Sequence, residues 1–134
     1  MPLRLEIVTP EAKTFSEDVD QVVLPGVEGE FGVLPGHEML FTQITPGELV
    51  VIQKDGKHYL AVGEGFVEVG PNHVSVLTDM AIKADDINEV DAENARKRAE
   101  EALSQKMTSE ESASVQAALQ RSLAQLHVKR RRHS

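Results

Sequence analysis

A chain of 134 residues with 40% apolar content has the size of one domain plus an appendage, and it can bury a core. It contains no Cys, which excludes disulfides, thiolate metal sites and thiol catalysis. A net charge of −8 argues against general nucleic-acid binding, and one Tyr, four Phe and no Trp leave little for base stacking. No charged-then-apolar leader opens the chain, and no apolar run approaches ~18 residues. The expectation is a cytosolic-type protein that neither spans a membrane nor is secreted.

The first two thirds read as β. Leu3 to Ile7 alternates apolar and polar with period two, the pattern of a half-buried strand. Phe15 lies in a short second segment, and Val19 to Leu24 forms a third. From Pro25 to Met39 the chain carries four glycines and two prolines, too many breakers for a helix. Turns are expected around Gly26–Gly29 and Pro35–Gly36, flanking a short strand at Phe31–Leu34. Glu28 and Glu30 sit exposed on the first turn. This stretch reads either as a tight corner of a sandwich or as a corner that is also a docking edge. Strands follow at Met39–Ile44, Glu48–Gln53, Lys57–Val62, Gly65–Val69 and His73–Thr78. Asp55-Gly56 predicts a hairpin whose two turn residues both take positive φ. About nine short strands with frequent turns suggest an antiparallel sandwich or barrel.

Near Asp85 the pattern changes. Asp91 to Gln105 lacks Gly and Pro and favours helix, with Asp91 placed to cap it. Ala92, Ala95, Ala99 and Ala102 share one face. Thr108-x-x-Glu111 is a capping box that opens a second helix, whose apolar face is read as Val115, Leu119, Leu123 and Leu126. Lys106 to Glu110 joins the two. The expected organisation is α+β: a sandwich over residues 1–87 and a helical hairpin over 88–134. An alanine face removes little apolar area from water, so the hairpin should grip weakly. It reads equally as a static cover or as an element that a partner protein could displace.

Catalytic signatures are missing. The five His, at positions 37, 58, 73, 127 and 133, show no i,i+3 or i,i+4 pairing of metal ligands. No P-loop, dinucleotide fingerprint or nucleophile elbow is present. The expectation is a non-enzyme without cofactor or metal. Charge is divided unevenly: residues 1–88 sum to −10 from five basic and fifteen acidic side chains, and residues 89–134 to +2 from nine and seven. From Ser112 onward there are five basic residues and no acidic one. Lys129-Arg130-Arg131-Arg132 reads as a solvated tail, as an anionic-surface patch, or as a probe for an acidic protein surface.

The run G-V-E-G-E-F-G-V-L-P-G-H from Gly26 to His37 closely resembles the signature of the ε subunit of F-type ATP synthases, of bacterial or cyanobacterial type. The Gly63-Glu64-Gly65-Phe66 run and the two-helix tail extend the likeness over essentially the whole chain. The resemblance implies a sandwich of about ten strands that turns with the central rotor. It implies contacts of Glu28, Gly29, Glu30 and Phe31 with the c-subunit ring, and of His37, Glu38 and Met39 with the γ shaft. It also implies a hairpin that extends to meet the catalytic β subunits through Arg121, Lys129, Arg130, Arg131 and Arg132, restraining ATP hydrolysis. Some members hold the hairpin compact with ATP through an Ile/Leu-Asp-x-x-Arg-Ala motif. Here Val90, Asp91, Asn94 and Ala95 occupy it; Asn94 replaces the arginine, and Gln125 stands near a second arginine position. Asn lacks the cationic fork of Arg, so weak or no ATP binding is expected. The implied location is peripheral, on the cytoplasmic face of an energy-coupling membrane, plasma or thylakoid, with the weakened motif suiting a photosynthetic source. A free-standing nucleotide-sensing sandwich and a nucleic-acid accessory protein are the alternative readings.

Overall fold

The computed structural model describes residues 2–11 and 13–133. Ten strands come first: β1 (Leu3–Val8), β2 (Lys13–Val19), β3 (Gln21–Gly26), β4 (Gly29–Val33), β5 (Leu40–Ile44), β6 (Gly47–Gln53), β7 (Gly56–Val62), β8 (Gly65–Val69), β9 (His73–Thr78) and β10 (Ala81–Lys83). A 3-10 turn at Ala84–Asp86 leads into α1 (Glu89–Leu103) and α2 (Ser109–His133). The ladder runs β10-β7-β6-β3-β5-β8-β9-β1-β2, with β4 paired to β3. Its far end returns to β6, where Asp20 N donates to Ile52 O at 2.8 Å and Gln53 Nε2 to Asp18 O at 3.0 Å. The sheet thus folds over on itself into two layers.

Alternation dictates the core. Leu3, Leu5 and Ile7 point inward from β1 and are fully buried, as are Leu24, Ile44, Leu49 and Leu60 from the strands facing them. Each such side chain contributes about 1.5–3 kcal/mol of burial. All the buried members of this cluster lie between Leu3 and Val76, so no helix residue is built into it.

Several expectations shift. One strand pair is parallel: β1 lies beside β9 with Leu5 opposite Val74. The third strand starts at Gln21, because residues up to Val19 belong to β2 and pair with Leu3 of β1. The Asp55-Gly56 hairpin is real but its turn is different. Gln53 faces Gly56, so Lys54 and Asp55 make the two-residue connection, and only Gly56 has positive φ (130°). The β3–β4 hairpin repeats this arrangement: Gly26 faces Gly29, Val27 and Glu28 connect them, and Gly29 has φ 128°. In both hairpins the glycine opens the returning strand with a backbone that a side chain would strain.

The helices also start where a better cap is available. Asn88, not Asp91, caps α1: its side chain accepts from Asp91 N at 3.0 Å. The second cap is as expected, with Glu111 N donating to Thr108 Oγ1 at 3.1 Å and Thr108 N to Glu111 Oε1 at 3.3 Å. Ala92 and Ala99 are buried. On α2 the expected apolar face is only part of the story. Leu126 is buried, but Leu123 is 41% exposed, and Ala124 and Val128 are buried instead. The helix is covered on two sides. Ser122, Leu126 and Arg130 share the face that meets α1, while Ala124 and Val128 pack with Ala61, Met80 and Ile87. Leu123 and His127 fall in the narrow sector left between.

Candidate interaction surfaces

Three surfaces carry the residues singled out from the sequence. The acidic corner is the tip of the β3–β4 hairpin. Val27, Glu28, Gly29 and Glu30 are all exposed, and Phe31 is half-buried. The Phe31 ring lies on Gly26, where a Cβ would come within 2.9 Å of it. The corner's apolar member is therefore anchored while its carboxylates project.

His37, Glu38 and Met39 lie on the loop between β4 and β5. Leu34-Pro35-Gly36-His37 closes with a hydrogen bond from His37 N to Leu34 O at 3.2 Å, and Gly36 N donates to Pro71 O at 2.6 Å. His37 Nδ1 lies 2.6 Å from Glu38 O, and Met39 is 80% exposed. The structure does not bring this loop to the acidic corner. The loop adjoins Leu40, which pairs with Val69; the corner adjoins Ile44, which pairs with Gly65 and Gly26. They occupy opposite ends of β5.

Between them lies an apolar strip that the strand patterns did not flag. Phe41, Phe66 and Leu77 point away from the core and are 67%, 49% and 56% exposed. The two Phe rings stack with centroids 5.7 Å apart and 17° between planes. Phe66 faces Leu77 across β8–β9, and Leu77 faces Val8 across β9–β1. The signal was available in the sequence: Phe66 and Leu77 stand in the polar phase of their own alternation.

The third surface is the seam between α2 and the rest. The cations expected to reach outward are turned inward here. Arg121 pairs with Asp79 at 3.1 Å, and Lys129 Nζ donates to Ala84 O at 3.2 Å. Arg130 bonds Glu89 at 3.0 Å and Glu93 at 2.7 Å on α1, and Arg131 pairs with Glu48 of β6 at 3.1 Å. The Arg132 side chain lies outside the described residues. Gly63 makes the first pair possible, since a Cβ there would sit 1.8 Å from Asp79 Oδ1. Between the pairs, Gln125 Nε2 reaches Met80 Sδ at 3.1 Å. On α1, Glu93 is shared by Arg96 and Arg130. Its carboxyl is held below the usual glutamate value, chiefly by the Arg96 hydrogen bond, with Arg130 adding to it and partial burial opposing.

The stretch corresponding to the nucleotide motif forms a shallow hollow of about 430 Å³, lined by Asp91, Ala92, Asn94, Ala95, Arg98 and Gln125. Val90 is 67% exposed and is not among the lining residues. Asn94 and Gln125 line the same hollow, one from each helix. Arg98, one turn beyond Asn94, supplies the only cation of the lining and was not singled out from the sequence. Among the described residues no group of three metal-ligating side chains gathers, and no helix is long and apolar enough to cross a membrane.

The fold and its surfaces define a class: a β-sandwich that exposes an apolar strip on its outer face and carries a helical hairpin clasped by ion pairs. Comparisons with known proteins make this specific. Residues 2–84 match the family described as ATP synthase, Delta/Epsilon chain, beta-sandwich domain, and residues 85–130 match its long alpha-helix domain. An ATP synthase epsilon chain from Herpetosiphon aurantiacus is 43% identical over 134 residues, covering 100% of this chain and 98% of that one. Another, from Pelotomaculum thermopropionicum, is 51% identical over 104 residues, 77% of each chain. Among solved structures, a chain of the Euglena gracilis mitochondrial ATP synthase OSCP/F1/c-ring assembly superposes with TM-score 0.72 at 27% identity, over 89% of this chain and 76% of that one. The chain belongs to the epsilon subunit family of F-type ATP synthases.

Proposed function

We propose that this protein is a non-catalytic subunit of the rotor, peripheral to an energy-coupling membrane, and that its two parts divide the work. Residues 1–87 grip the axle and couple it to the proton-driven ring; residues 88–134 restrain hydrolysis. The acidic corner at Glu28, Gly29, Glu30 and Phe31 meets the loops of the c ring. His37, Glu38 and Met39 meet γ, and the strip of Phe41, Phe66 and Leu77 extends that contact along β5, β8 and β9. The hairpin swings from the sandwich so that Arg121 and Lys129 to Arg132 reach acidic surface on the catalytic β subunits.

One observation carries the regulatory part of this reading. The hairpin rests on the outside of a main core that contains none of its residues, and it is held there by a smaller apolar cluster, in which Ala124 and Val128 meet Ala61, Met80 and Ile87, and by ion pairs. An acidic partner competes for the same cations that hold the helix down, against an apolar cluster far smaller than the main core. Deleting residues 112–134 is expected to raise the ATPase activity of the assembled enzyme and to leave assembly intact; unchanged hydrolysis in the truncated complex defeats the proposal. ATP does not control the hairpin here, because Arg98 alone faces a shallow, open hollow. Calorimetry is expected to find no binding in the micromolar range, and a micromolar affinity would overturn this part.

A further inference from the structure

Among the ion pairs that hold α2, one differs in kind from the rest. Asp79, Arg121, Glu89 and Arg130 are each about a third to a half exposed, as surface pairs are, and even Glu93, at 23%, is still partly in water. Glu48 is not: its side chain is only 6% exposed, while its partner Arg131 remains 56% exposed. The reason is its place in the fold. Glu48 sits on the outer face of β6, directly opposite Ala61 on β7, which in turn faces Ile82 on β10. Ala61 is fully buried beneath Ala124 and Val128 of α2. A carboxylate therefore interrupts a row of apolar side chains at the place where the helix comes down. Strand alternation permits a polar residue at this outward position; the buried apolar neighbours under the helix would favour an aliphatic one.

We propose that Glu48 is a built-in release device: a charge sealed under α2 so that the helix docks over a carboxylate it must desolvate, and leaves with that carboxylate regaining water. This deepens the reading of the hairpin as a moving element and rests on it. The sign follows from the asymmetry of buried charge. Removing a carboxylate from water carries a penalty that a solvated one does not bear, and an ion pair can leave part of it unrecovered. An apolar side chain in place of a buried charge is often neutral or stabilising when no other buried charge is left behind, and Arg131, 56% exposed, keeps its guanidinium in water when Glu48 is replaced. In the lifted state the same carboxylate is solvated and carries no penalty, whereas an aliphatic side chain would be left in water. Glu48 thus biases the equilibrium toward release without touching the sandwich core. Pairing with Arg131 makes docking tolerable while keeping it easily reversed.

Hydrogen exchange of the α2 amides over residues 121–131, in the isolated full-length chain, measures this equilibrium directly. Glu48→Leu is expected to slow their exchange by about tenfold or more, because the docked helix then covers an aliphatic side chain. Glu48→Met, unbranched and of similar reach, is expected to do the same where a branched side chain fits poorly. Exchange that is unchanged or faster in both variants overturns the proposal, since it would make Glu48 an attractive anchor or a neutral bystander. Hydrolysis by the complex reassembled with Glu48→Leu tests the underlying reading separately. Slowed exchange with unaltered ATPase activity upholds the release device and sinks the moving brake.

Discussion

At the scale of single residues, the outward-facing aromatics separate stability from binding. Phe41 and Phe66 stack on each other in solvent and contribute nothing to the core, so replacing both with Ser should move the melting temperature by only a few degrees. The same change should weaken capture by a γ-containing complex by about a hundredfold, the scale of a lost aromatic hot spot of ~2–3 kcal/mol. A binding titration beside a thermal melt checks both halves. Gly63 behaves in the opposite way. Adding a methyl there pushes against the Asp79 carboxylate, which is exposed enough to swing away and abandon Arg121. Gly63→Ala should therefore leave the sandwich intact and cost at most about 1 kcal/mol, seen as faster exchange in α2 near Arg121.

At the scale of elements, the α1–α2 seam has its own pH dependence. The folded state holds the Glu93 carboxyl below its ordinary value of 4.5. Its contribution is therefore complete above about pH 4.5 and disappears as acidification passes through the lowered value. Protection factors of the α1 amides, taken against the intrinsic rate at each pH, should fall below pH 4.5, and Glu93→Gln should flatten that dependence. Thr108→Ala breaks the capping box and should cost about 1 kcal/mol, felt as fraying of the first turn of α2. These elements were unevenly legible in the sequence. The capping box and the strands at Gly65–Val69 and His73–Thr78 follow from local chemistry and emerge where periodicity puts them. The parallel pairing of β1 with β9 could not be read locally, because it joins residues some seventy positions apart. The two-sided burial of α2 was hidden for a similar reason. A helix wedged between a sheet and another helix uses Ala124 and Val128 as well as its leucines, and a single apolar stripe does not describe it. The acidic corner was visible because glycines and carboxylates mark it. The strip of Phe41, Phe66 and Leu77 is harder to read, because an apolar side chain in a strand does not by itself say which face it takes. Glu48 looked like an ordinary polar strand residue, since only the docked helix makes it buried.

At the scale of the whole molecule, the main core draws its side chains from the strands alone. The main core closes without the helices, so residues 1–87 should fold alone and melt cooperatively. Circular dichroism on that fragment tests this, and a molten, non-cooperative fragment would show the hairpin to be integral. The fragment would expose Ala61, Met80 and Tyr59, so it should melt lower than the full chain and be the more prone to self-association. One feature of the sandwich has a mechanical meaning as well. The acidic tip and the His37 loop lie at opposite ends of β5, whose five residues are each registered against β8. A tug applied between those ends runs along the strand, so its backbone hydrogen bonds resist together in shear instead of unzipping one by one. The sheet is oriented to stay stiff under a pull that would peel apart a strand loaded crosswise.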